Sequence, residues 1–203
     1  MGEFYTNAAL AIVVFLSTNV DDIFLLAAFY SDSKIRPRSV VFGQFLGIGT
    51  LVVVSCLAAW LAIALPPGLI SLLGVVPLGL GIKQLVALWR PEHEEADVQA
   101  ADREEHELER GLHSQILAIA GVTIANGGDN LGVYIPLFAS KSSWVPLFAA
   151  IFAIMTLLWC YLGRLLVNNR FLGDYIRRYG HRILPFVLIA LGIHILSGAI
   201  DLF

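Results

Sequence analysis

The sequence predicts an all-α integral membrane protein: six transmembrane helices forming two inverted three-helix repeats, with the N- and C-termini outside. Three observations carry this. Apolar residues make up 58% of the 203 and charged residues only 14%, with a mean hydropathy of +0.77. A soluble domain carries about 25% charged residues. Six apolar stretches are each long enough to cross about 30 Å of hydrocarbon. Segments of the first half also recur, in order, in the second. The same composition excludes a disordered chain, a nucleic-acid-binding protein and a disulfide-stapled secreted module.

The spans fall near residues 7–30, 39–64, 69–89, 113–139, 143–167 and 183–201. The N-terminus has no basic region and no small-residue cleavage site, so the first span is expected to be retained. Turn chemistry or charge separates the spans: Asp32 to Arg38, Pro66-Pro67-Gly68, an acidic stretch, Lys141, and Arg170 to Arg182. Nine of the sixteen acids lie between Glu92 and Glu109, and without that stretch the chain is net basic. It reads as a solvated tether. Residues 1–90 are thus expected to be the first three-helix repeat, 91–112 an acidic cytoplasmic linker and 113–203 the second repeat.

Basic residues set the orientation. Lys34, Arg36, Arg38, Arg90, Arg103, Arg110, Arg170, Arg177, Arg178 and Arg182 fall on one side, against Lys141 on the other. By the positive-inside rule, the richer side is cytoplasmic. Trp60, Trp89 and Trp144 near span ends suit an interfacial belt. Cys56 and Cys160 sit inside apolar runs and read as small apolar filler rather than a disulfide or a soft-metal site.

The repeat rests on two matches. Asp21-Asp22-Ile23-Phe24-Leu25 aligns with Asp129-Asn130-Leu131-Gly132-Val133 at an offset of 108. Leu80-Gly81-Ile82-Lys83 aligns with Leu191-Gly192-Ile193-His194 at an offset of 111. Three spans per half is an odd number, so the second half sits upside down relative to the first. That is a common transporter architecture, with binding at the midplane between halves.

Polar residues in mid-span are the functional signal. Asp21, Asp22 and Asp129 each cost about 3 kcal/mol in hydrocarbon, and residues that costly usually face a cavity. Around them stand Thr18, Asn19, Thr123, Asn126 and Asn130, all carrying oxygen. Gly127-Gly128 should loosen its helix and free backbone carbonyls toward the cavity. Carboxylates, amides and carbonyls together make a hard-oxygen cage, so Asp21, Asp22, Asp129, Asn130, Asn19 and Asn126 are the expected metal ligands. Lys83 and His194, at matched repeat positions, are candidates for a counter-charge or proton relay. The bland readings are a polar cluster gluing helices, a Lys83 snorkelling to the interface and a packed His194.

Thr18-Asn19-Val20-Asp21-Asp22, together with Asn126-Gly127-Gly128-Asp129-Asn130-Leu131-Gly132-Val133-Tyr134-Ile135-Pro136, resembles the CadD-like cadmium resistance transporters of the LysE-type exporter superfamily. The likeness covers nearly the whole chain. It implies secondary-active efflux of divalent heavy-metal cations across the cell membrane by a multi-pass protein.

No G-x-x-x-x-G-K-[ST] phosphate loop occurs, so another flux must drive transport. Protons suit carboxylate ligands, because metal and protons compete for the same oxygens. No cofactor is expected, the divalent cation (cadmium or manganese) being the substrate. The expected partners are membrane lipid, that cation and protons, with no nucleic acid; a homo-oligomer is compatible with the sequence. Two alternatives stay open. One is a LysE-like exporter of amino acids or other organic cations, with Lys83 as the carboxylate-binding group. The other, more remote, is an intramembrane aspartyl protease using Asp22 and Asp129; Asn126-Gly127-Gly128-Asp129 lacks the first glycine of that G-x-G-D pattern.

Overall fold

The computed structural model describes residues 1–63, 72–87, 111–168, 186 and 189–197. Among these the secondary structure is helical throughout. In chain order the helices are α1 (Gly2–Thr18), α2 (Asp22–Ser31), α3 (Pro37–Ile63), α4 (Val75–Ala87), α5 (Leu112–Asn126), α6 (Gly128–Ser140), a 3-10 turn (Ser142–Trp144) and α7 (Val145–Asn168). Residues 189–197 are also helical.

Two stretches, Pro37–Ala62 and Ser142–Val167, are long and apolar enough to cross a membrane unaided. α3 opens on Pro37, whose missing N–H costs nothing in a first turn. Both stretches are only 33% buried against the rest of the chain. Their outer faces carry exposed Phe42, Leu46, Val53, Leu57, Trp60, Ile154, Leu157 and Tyr161, a surface suited to lipid.

The first and fourth expected spans are present as bent pairs. α1 and α2 meet at 60°, α5 and α6 at 69°. If each pair counts as one span, the described chain has up to four. The third and sixth are covered only in part, by α4 and residues 189–197. The rest of both, and the acidic linker as far as residue 110, lie outside the described residues.

Each long helix packs on the broken pair of the other half. α3 lies against α5 and α6, and α7 against α1 and α2. Small residues permit this closeness. A Cβ on Gly43 would sit 2.7 Å from Ile119 Cβ, one on Gly47 2.6 Å from Thr123 Cβ, and one on Gly163 2.7 Å from Leu26 Cβ. This is the small-residue packing expected where lipid supplies no hydrophobic drive between helices. Between α1, α6 and α7 an aromatic core forms. Tyr134 lies 4.7 Å from Phe152, and Phe15 lies 5.6 Å from both Phe152 and Trp159, ring centre to ring centre. Cys56 and Cys160 are free thiols, Cys160 buried.

Candidate functional site

The two helix breaks form the centre of the molecule. α1 ends at Asn19, whose backbone N–H closes the last turn on Phe15 O and whose side chain is buried. Its Nδ2 lies 2.9 Å from Phe15 O, 2.9 Å from Thr18 Oγ1 and 3.0 Å from Tyr134 Oη. Its Oδ1 accepts from Asn130 Nδ2 at 3.3 Å, and its carbonyl accepts from Trp159 Nε1. Asn19 thus ties the first break to α6 through its side chain and to α7 through its carbonyl.

The second break is a single residue. Gly127 has φ −80° and ψ 19°, a conformation open to any residue, so left-handed backbone is not why glycine is there. Space is the reason: its Cβ would fall 2.2 Å from Leu51 Cδ1 on α3. Four backbone carbonyls at the two breaks have partners. Val20 O accepts from Ile23 N, Asp21 O from Phe24 N, Gly127 O from Leu131 N and Asn19 O from Trp159.

The side chains at the breaks divide into two groups. A cavity of about 350 Å³ is lined by Asp21, Asn126 and Asp129 from the breaks, Lys83 and Leu80 from α4, and Ala125 and Gly128. At about 30 Å³ per water it has room for roughly ten waters. Asp21 precedes α2 and Asp129 lies in the first turn of α6, where the helix dipole favours negative charge. Asn130 N–H donates to Asp129 Oδ1 at 2.9 Å.

Asp22 is turned away into a buried lattice. Its Oδ2 accepts from Gln44 Nε2 and its Oδ1 from Asn126 Nδ2, both at 2.9 Å. Thr123 Oγ1 stands 2.8 Å from Gln44 Oε1. α2, α3 and α5 are joined through this one carboxylate. The three acids interact electrostatically with one another. Among the described residues, however, no three Asp, Glu, His or Cys side chains stand close enough together to hold a metal ion. The cage expected from sequence is thus split. Asp21, Asp129 and Asn126 line the cavity, while Asp22, Asn19 and Asn130 lie in the buried networks beside it. Both Asp22 oxygens accept amide hydrogens, and Asp22 does not share the cavity lining with Asp129. His194 is exposed and lines no part of the cavity.

Sequence reasoning did not single out Gln44, Tyr134 or Trp159 as site residues. Gln44 was findable, as a lone amide in an apolar span, flanked by Gly43 and Gly47.

The search of curated proteins and that of solved structures gave no match. A family model described as cadmium resistance transporter matches residues 15–203, a stretch that contains both breaks and every residue lining the cavity. The chain is a membrane protein that belongs to the cadmium resistance transporter family.

Proposed function

We propose that this chain is a multi-pass, secondary-active exporter of divalent heavy-metal cations across the cell membrane, working by proton antiport. The observation that carries the reading is that Asp21 and Asp129, one from each helix break, line the same cavity. Broken helices meeting between two halves are a recurrent transporter binding site. Asp21 and Asp129 are the charged ligands and the Asn126 carbonyl a neutral one, with water completing the shell. Asp22, Asn19 and Asn130 hold these ligands in place and lie near enough to join them if the halves move. Each half's long helix packs on the other half's broken pair, which supports an inverted repeat that rocks to alternate access. The distribution of lysine and arginine supports termini on the outer side.

Moving a divalent ion outward against an inside-negative potential costs about 4.6 kcal/mol per 100 mV. Two protons entering on the vacated carboxylates make the cycle electroneutral. The test is cadmium tolerance and cell-associated cadmium in cells expressing the wild type or Asp129→Asn. The wild type should raise tolerance and lower accumulation; the mutant should do neither. Equal protection by both would overturn the reading.

One observation favours a second reading, export of an amino acid or other organic cation. The cavity is far larger than a bare ion, and it pairs Lys83 with two acids, as a zwitterion would require. Proteoliposomes preloaded with cadmium or with lysine separate the two by which solute leaves.

A further inference from the structure

We propose that Lys83 is a tethered counter-ion of the Asp21–Asp129 pair, displaced by each arriving divalent cation and returning to drive its release. The inference rests on reading the cavity as the cargo site.

The placement of Lys83 follows from how α4 docks. Val76, Leu80 and Lys83 recur at helical spacing and share one face. Gly132 of α6 receives that face: a Cβ there would lie 2.8 Å from Leu80 Cδ1 and 3.2 Å from Val76 Cγ1. Asp129 lies one turn before Gly132 on α6, and Lys83 one turn after Leu80 on α4. The close approach at Gly132 thus brings the ammonium stem to the level of the acid, and Lys83, Asp21 and Asp129 line one cavity. Gly74, the residue before α4, approaches the helix of residues 189–197, a Cβ there meeting Gly192 O at 2.8 Å. The Lys83 side chain is nevertheless exposed, so it has a route out of the cavity without a backbone shift.

Charge gives the consequence. Two carboxylates alone leave the cavity at −2, and with the ammonium beside them at −1. A divalent ion neutralises the pair completely, so an ammonium kept beside it would have no counter-charge and would be repelled by the ion. The lysine therefore swings out as the ion enters. Its return competes for the same oxygens and weakens the ion's hold when the ion is due to leave. A permanent neutral residue would bind cargo better and release it worse.

The experiment uses the purified full-length chain, with Lys83→Met and Lys83→Arg beside the wild type. Cadmium binding is measured by calorimetry, and export from proteoliposomes as kcat and KM. At an effective dielectric near 20, removing a unit charge several ångströms away should tighten binding by roughly tenfold or more. Lys83→Met should therefore lower Kd and KM while lowering kcat, and Lys83→Arg should restore both toward wild type. A Lys83→Met protein with unchanged or weaker cadmium affinity overturns the proposal. So does a Lys83→Arg protein that behaves like Lys83→Met. Asp129→Asn in the same assay keeps the two readings apart. If it binds cadmium as the wild type does, the cavity is not the cargo site and both fail. If it loses binding while Lys83→Met changes nothing, only the tether fails.

Discussion

Asp21 and Asp22 are neighbours in the chain with different work. Asp21 lines the cavity, whereas Asp22 is buried and bonded through both oxygens to amide donors from Gln44 and Asn126. Asp22→Asn would set an N–H against one of those donors and leave buried polar groups unpaired, costing about 1–3 kcal/mol. Thermal unfolding in detergent should therefore show a clear fall for Asp22→Asn and little change for Asp21→Asn. Cadmium binding should fall most in Asp21→Asn. A stable Asp22→Asn beside an unstable Asp21→Asn would mean that the two roles are exchanged. The importance of both acids was legible in the sequence, because a carboxylate in mid-span is too costly to be incidental. Their division of labour was not, since it depends on a partner, Gln44, that is 22 residues away in sequence. The repeat misled in a similar way. It put Lys83 and His194 in register, yet Lys83 lines the cavity and His194 does not.

At the scale of elements, the second break was legible, but for only part of the right reason. Gly127-Gly128 costs about 1 kcal/mol per glycine in a helix, which marks the second break. What the sequence could not show is that Gly127 is also the contact point for Leu51 of α3. The bend there is the larger, 69° against 60°, although its break is the shorter in residues. The first break contains no glycine and is held by Asn19 instead. Glycines on α3 carry a sharper expectation. A Cβ on Gly47 would fall 2.6 Å from Thr123 Cβ, an atom fixed to its backbone that no rotamer change can move. Gly47→Ala must separate α3 from α5, at about 1–3 kcal/mol for overpacking, and must stretch the Thr123–Gln44 contact. Gly49, two residues on, has nothing within 4 Å. Gly49→Ala should be neutral or stabilising by up to about 1 kcal/mol, through helix propensity. Cadmium tolerance and thermal stability measured on the two variants should therefore move apart, with Gly47→Ala impaired in both. Equal behaviour would mean that the α3–α5 contact is not what fixes the site.

For the whole molecule, what matters is that cargo and coupling ion use one set of oxygens. α3 and α7 each clasp the opposite half's broken pair, so a rocking motion would change both breaks together. Asp21 and Asp129 sit one on each break, so such a motion alters the distance between them. A pair drawn together suits a divalent ion, and drawing it apart weakens that ion's hold. Ligation requires ionised carboxylates, so lowering the pH must weaken metal binding and raising it must strengthen binding, never the reverse. If two protons leave for each ion bound, affinity changes by up to about a hundredfold per pH unit in the range where both carboxylates titrate. Calorimetry of cadmium binding, in buffers of different ionisation enthalpy, measures the protons released directly. Between one and two per ion is expected, together with affinity that falls as the buffer is acidified. Release near zero with affinity flat across neutral pH would uncouple protons from these residues. The charge moved outward would then have to be offset by another ion, sodium first among them, and the carboxylate pair would serve the metal alone.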